Sequence, residues 1–123
     1  MTMHGTMSPQ LEAVLRLRFR GPAGVAGAVD AVVDTGFSGF VTLPVAVIAG
    51  FGLPRLSGGQ ATLADGSMRR FDTFTAELEW GGVWRVVVVW ALGDEPLVGM
   101  LLLADCELRM QVRDGGDVTV EPL

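Results

Sequence analysis

The sequence contains no lysine, no asparagine and no tyrosine, and in 123 residues it has one cysteine and one histidine. Each scarcity removes a class of function. A single thiol, Cys106, permits no internal disulfide and no cysteine-based zinc site, so no metal or cofactor is expected. The sole histidine, His4, sits in a polar N-terminal segment expected to be loose. Cys106 therefore lacks an imidazole base and reads as a small buried hydrophobe of a reducing compartment. All nine basic residues are arginine, set against 14 acidic ones. The net charge of -5 leaves no basic patch to neutralise phosphates, which argues against nucleic acid as a partner. The opening "MTMHGTMSPQ" lacks the basic region and apolar core of a secretory signal. The longest apolar run, "VWRVVVVWAL", is broken by Arg85 and falls short of the roughly 20 residues that cross a bilayer. The expectation is a soluble, cytoplasmic protein with no membrane association.

What the chain does contain is apolar residues, at 50%, with 17 glycines as punctuation and only 19% charged residues. That suits one well-packed domain over residues 1–123, with apolar surface left for a partner. "LEAVLRLRFRGP" alternates Leu15, Leu17 and Phe19 with Arg16, Arg18 and Arg20, the two-residue period of a half-buried strand with a solvated arginine face. "AGAVDAVVDTG" predicts a second strand that becomes wholly apolar, and "FVTLP" a short third one. "PVAVIAGFGLP" predicts a helix with Pro44 in its first turn, Val45, Ile48 and Ala49 on one face, and Gly50 or Gly52 at its end. Three hairpins follow from turn signals at Asp65-Gly66, Gly81-Gly82 and Gly115-Gly116. Met100 to Cys106 predicts a short second helix. Trp80, Trp84 and Trp90 are expected in core or dimer packing. The fold class is all-β, a small closed barrel or sandwich with one or two short helices.

One acidic residue stands out. Asp34 follows a wall of valines in "VVDTGFSGFVTLP", where an ionised carboxylate must be hydrogen-bonded, paired or protonated. Thr35 and Ser38 supply hydroxyls, and Gly36 lets the backbone approach the carboxylate closely. A bare "DTG" suits a strand-end turn equally well. In context it is joined by a later "PLVGM", where Leu97 and Val98 precede Gly99 and a helix. Together "AVVDTGFSGFVTLP", a "LADG" hairpin and "PLVGM" resemble the retropepsin-like aspartic proteases, and the small single-domain bacterial members most.

That resemblance spans nearly the whole chain and implies a small acid-protease barrel with an aspartic endopeptidase activity on peptide or protein substrates. It implies Asp34 as the catalytic carboxylate, Thr35 as the residue that braces the opposite loop, and Gly36 as the backbone donor that steadies the carboxylates. Phe37 and Ser38 are expected beside the substrate, with the hairpin Leu63 to Met68 as a flap closing over it and Leu63, Ala64, Asp65 and Gly66 as its substrate-binding residues. Leu97, Val98 and Gly99 are the structural motif expected behind the loop. Viral relatives carry an acid at the position of Ser38 and an arginine at that of Met100, so that ion pair is replaced here on both sides.

No other aspartate shares this context. Asp30 lies four residues upstream, Asp65, Asp94 and Asp114 fall in turns, and Asp105 is in or near a helix. Two facing carboxylates sharing a proton would then require a homodimer, with two copies of Asp34 about a two-fold axis. A non-catalytic peptide-binding or dimerisation module on the same fold remains the alternative at this level.

Overall fold

The computed structural model describes residues 1–123. Ten strands and two short helices follow one another as β1 (Met3–Met7), β2 (Ala13–Arg20), β3 (Ala26–Val33), β4 (Val41–Thr42), α1 (Val45–Phe51), β5 (Arg55–Thr62), β6 (Met68–Trp80), β7 (Val83–Trp90), β8 (Leu97–Val98), α2 (Met100–Leu103), β9 (Cys106–Met110) and β10 (Asp117–Pro122). The expected all-β barrel is present. Strands β6-β7-β4-β8-β3-β2 pair in that order, and β2 pairs again with β6, which closes a six-stranded ring.

Strand β2 makes closure possible by dividing one edge. Ala13 to Leu15 pair with β1, while Arg18 to Arg20 pair with Glu79 to Glu77 of β6. Its alternation does the rest: Leu15, Leu17 and Phe19 are buried in a single core with Val87, Val89, Leu78, Val118 and Val120. The arginine face is solvated as expected, and each member is paired. Arg16 meets Asp30 at 3.3 Å, Arg18 meets Glu79 at 3.6 Å, and Arg20 bonds Glu77 while its guanidinium lies 4.1 Å over the Trp84 ring. Pairs this exposed add little stability individually.

Strand β6 is the longest, and its ends have different partners. It pairs with β7 only from Thr73 onward, whereas Met68 to Phe74 pair with β5. The stretch of β5 and β6 before Thr73 is therefore a two-stranded ribbon projecting past the barrel.

Several local expectations change. The N-terminus is ordered, because β1 finds two partners, β2 and β10, and His4 lies opposite Thr119. Helix α1 begins after Pro44 and stops at Gly52, whose φ of 63° is the left-handed conformation a helix end favours. Its buried residues are Ile48 and Phe51, so Val45 and Ala49 face outward. The short helix packs through the i, i+3 pair Ile48 and Phe51, with half-buried Val47 beside it. Helix α2 spans Met100–Leu103, and Cys106 opens β9 after Asp105 takes φ 62°.

The Gly81-Gly82 turn is as expected, with both φ values positive between paired Trp80 and Val83. The ribbon turn is looser than a two-residue turn. Leu63 N donates to Ser67 O at 2.7 Å, leaving three residues between, with Gly66 at φ 84°. The last hairpin turns over Gln111 to Gly116, held to β1 by Met7 N–Gly116 O and Gly115 N–Met7 O bonds of 2.9 and 3.0 Å.

No helix is long and apolar enough to cross a membrane.

Candidate active site

Asp34 sits one residue beyond β3, where the strand leaves its ladder. Strand β8 runs parallel to β3 with Val32 opposite Leu97 and Val33 opposite Val98. The ladder ends when Asp34 N donates to Val98 O at 2.9 Å. The chain then folds back at once, with Phe37 N donating to Asp34 O at 3.1 Å. This turn lets Gly36 N reach the Asp34 carboxylate, donating to Oδ1 at 2.9 Å. The side chain is half-buried rather than enclosed. Its desolvation is accordingly partial: one oxygen accepts a backbone N–H, and the cleft stays open beside it.

Leu97, Val98 and Gly99 stand directly behind this turn. Met100 N donates to Phe37 O, Gly99 N to Phe40 O and Leu101 N to Gly39 O, at 2.9, 2.9 and 3.2 Å. The two segments approach so closely that a Cβ on Gly99 would lie 2.1 Å from Gly39 O and 2.6 Å from Phe37 Cδ2. Gly39 is equally constrained, since its Cβ would lie 2.6 Å from Phe37 Cζ and 3.0 Å from Trp90 Cε2. Both glycines are needed for contact, without any special backbone angle.

Phe37 turns inward and is buried. Its ring meets Trp90 edge-on at 4.9 Å, and Trp90 stacks on Phe71 of β6 at 4.5 Å. Three aromatic rings therefore connect the Asp34 loop to the base of the projecting ribbon. Thr42 anchors the opposite side from within β4. It is 1% exposed, and its hydroxyl donates to Glu95 O at 3.1 Å while accepting from Leu97 N at 3.0 Å.

These elements enclose a cleft of about 690 Å³. Of the residues named from sequence, Asp34, Gly36, Phe37, Ser38, Leu63, Ala64 and Leu97 line it. Thr35 lies at the loop tip, exposed and without a side-chain hydrogen bond within the chain, while Val98 and Gly99 are the packed support. Asp65 and Gly66 form the ribbon's tip outside the lining. Asp65 Oδ1 accepts from Ser67 Oγ at 2.6 Å and Ser67 N at 2.9 Å, and these bonds hold its carboxyl below the usual value of 3.8. Ser38 and Met100 are both exposed.

The sequence pattern did not single out Thr42, Gln60, Ala61, Thr62, Arg69, Trp90 or Leu92 as lining residues. The period-two alternation of the ribbon puts Ala61 and Arg69 on one face, but no local signal says that this face meets the cleft. Nothing local marked Thr42, whose value lies in a bond to a segment more than 50 residues away. Trp90 does pack, as expected, and in doing so also walls the cleft.

No group of three or more histidine, cysteine or acidic side chains is placed to hold a metal ion. The site offers one carboxylate, a backbone donor on it, an apolar wall and a ribbon overhead. Comparison with family models, with curated proteins and with solved structures finds no match to this chain.

Proposed function

We propose that this protein is an aspartic endopeptidase of the retropepsin-like kind, active as a homodimer. The observation that carries the proposal is the seating of Asp34. The carboxylate stands at an open cleft, oriented by the Gly36 N–H, on a loop braced from behind by Leu97-Val98-Gly99. A strand-end aspartate that merely caps a turn requires neither the cleft nor the ribbon.

The chemistry follows from pairing. Two carboxylates a few ångströms apart cannot both ionise, so they share one proton. The ionised member removes a proton from a water molecule, whose oxygen attacks the peptide carbonyl carbon. The protonated member gives its proton to the carbonyl oxygen as negative charge develops there. Collapse of the tetrahedral gem-diol breaks the C–N bond, and the proton taken from water passes to the departing nitrogen. One diol hydroxyl returns its proton to the dyad as the new carboxylic acid forms, which restores the shared proton. Each chain offers one such aspartate, so a second copy supplies the other. The exposed Thr35 tip and the exposed Met100 and Leu101 beside it provide the surface for that copy.

The deciding experiment uses Asp34→Asn with a mixed peptide library between about pH 3 and pH 7. The substitution replaces both carboxylates of the dimer, so cleavage should slow by more than the roughly 10²–10⁴-fold that one acid–base partner contributes, with unchanged melting and unchanged sedimentation. Mixing wild type with Asp34→Asn sharpens the test. Dimers need two good copies, so activity should fall as the square of the wild-type fraction; a linear fall would place the whole site in one chain. Cleavage by Asp34→Asn at the wild-type rate would refute the proposal. Peptide binding without turnover at any pH would identify a binding module instead.

A further inference from the structure

The cleft contains a cation that the acid–base chemistry does not use. Strand β6 sends alternate side chains to opposite faces, and Phe71 and Thr73 are its buried, barrel-facing members. Continuing that alternation outward reaches Arg69, opposite Ala61, on the ribbon face that covers the cleft. Its neighbour Arg70 goes to the other face, beside Arg55 and Asp72. Asp34 and Arg69 are the two charged residues in the cleft wall, one contributed by the loop after β3 and the other by the projecting ribbon.

Arg69 has no partner of its own. The arginines in ion pairs are Arg16, Arg18, Arg20, Arg55 and Arg109, and no carboxylate, Asp34 included, comes within 4 Å of Arg69. Arg69 is exposed and shares the cleft lining with Leu63, Trp90, Leu92 and Leu97, and its guanidinium presents a fork of donors that fits a planar carboxylate. Asp34 alone would make the cleft favour basic side chains. A cation on the ribbon wall reverses that preference for whatever group faces the ribbon.

We infer that Arg69 is a specificity-determining residue, and that the cleft selects peptides presenting a carboxylate to the ribbon wall. The inference rests on the protease proposal for its substrate class. The carboxylate has two sources: an internal aspartate or glutamate side chain, or the free C-terminus of a peptide.

The test uses full-length Asp34→Asn, which holds peptide without cleaving it, and fluorescent peptides read by anisotropy. One pair carries an internal Glu or its neutral isostere Gln, both with amidated ends. A second pair carries Gln only, ending in a free acid or an amide. With Arg69 present, the peptide bearing the carboxylate should bind about tenfold more tightly than its neutral partner, as for a charge-assisted pair in a partly screened site. The pair that discriminates identifies the source. In Asp34→Asn/Arg69→Gln the ratio should fall to about one, and in Asp34→Asn/Arg69→Glu a Lys peptide should become the preferred one. Thermal melts of each variant establish that the ribbon change leaves the fold intact.

A pair that discriminates equally with and without Arg69 would overturn the inference, as would equal binding of all four peptides or binding of none. Cleavage by the wild-type protein is scored in parallel. Turnover without carboxylate preference defeats the role of Arg69 alone. Carboxylate-selective binding without turnover defeats the protease proposal alone.

Discussion

Gly99→Ala is the most informative single substitution in the support of the Asp34 loop. The added carbon would lie 2.1 Å from Gly39 O and 2.9 Å from Gly39 C, where real contacts begin near 3.0 Å. A displacement of about 1 Å is therefore needed, and the obstacle is backbone. That backbone is tied in place by the Leu101 N–Gly39 O and Gly99 N–Phe40 O bonds, so a side-chain rotation cannot relieve the overlap. Overpacking of this kind costs roughly 2–3 kcal/mol. At about 2.1 cal/mol/K of unfolding entropy per residue, each 1 kcal/mol lowers the melting temperature of a 123-residue chain by about 4 °C. The expected fall is about 8–12 °C, read by circular dichroism or calorimetry. The displaced atoms also position Asp34, so the proposed peptide cleavage should slow as well. Gly50→Ala is the internal control: it lies in α1 with nothing within 4 Å of the new carbon, and helix propensity should add about 0.5–1 kcal/mol. Two identical chemical changes should thus shift stability in opposite directions. A Gly99→Ala protein melting with wild type would show that the loop and β8 are not in rigid contact, and the account of the site would fail with it.

Thr42→Val keeps shape but leaves Leu97 N and Glu95 O without the hydroxyl; urea titration should show a loss of about 2–4 kcal/mol, and an unchanged midpoint would remove Thr42 from the framework. Trp90→Ala breaks both aromatic contacts and should cost roughly 2–4 kcal/mol. Amide exchange should then quicken in the ribbon and the Asp34 loop together, whereas faster exchange in only one of them would disprove the link. Asp65 titrates below 3.8 because the folded turn favours its charged form, so its stabilising effect is present above that value and is lost as pH falls through the lower folded value. A carboxyl-carbon NMR titration should place the midpoint below 3.8 and show the Ser67 amide shifting with it; a midpoint above 3.8 contradicts the hydrogen bonds to Ser67.

The barrel was largely legible because its signals are local. The Leu15–Phe19 alternation, the paired glycines at 81 and 82 and the valine run of β7 each specify a strand or turn without reference to the rest of the chain. The Asp34 loop and its Leu97-Val98-Gly99 support were legible as two motifs, and the parallel pairing of β3 with β8 brings them together. Features set by distant partners were less visible. A polar N-terminus gives no hint that β10 will pair with it, and seven residues of helix are too few to reveal that Ile48 and Phe51 form the buried pair. Arg69 was equally hidden, because whether a ribbon residue covers a cleft or faces solvent depends on where β7 pairing stops.

The β2–β6 junction that closes the ring has a kinetic meaning. It consists of three residue pairs, Arg18–Glu79, Phe19–Leu78 and Arg20–Glu77, the last joining positions 57 apart. Hairpins β2–β3 and β6–β7 each form from neighbouring sequence, but this seam must wait until both exist and the chain between them has surrendered its freedom. Its contacts therefore come late in folding and go early in unfolding. Weakening them, as in Arg20→Ala, should speed unfolding and leave refolding almost unaltered, which stopped-flow chevrons would resolve. The barrel behaves as a clasp, whose lifetime is governed by one short fastening flanked by arginine and glutamate.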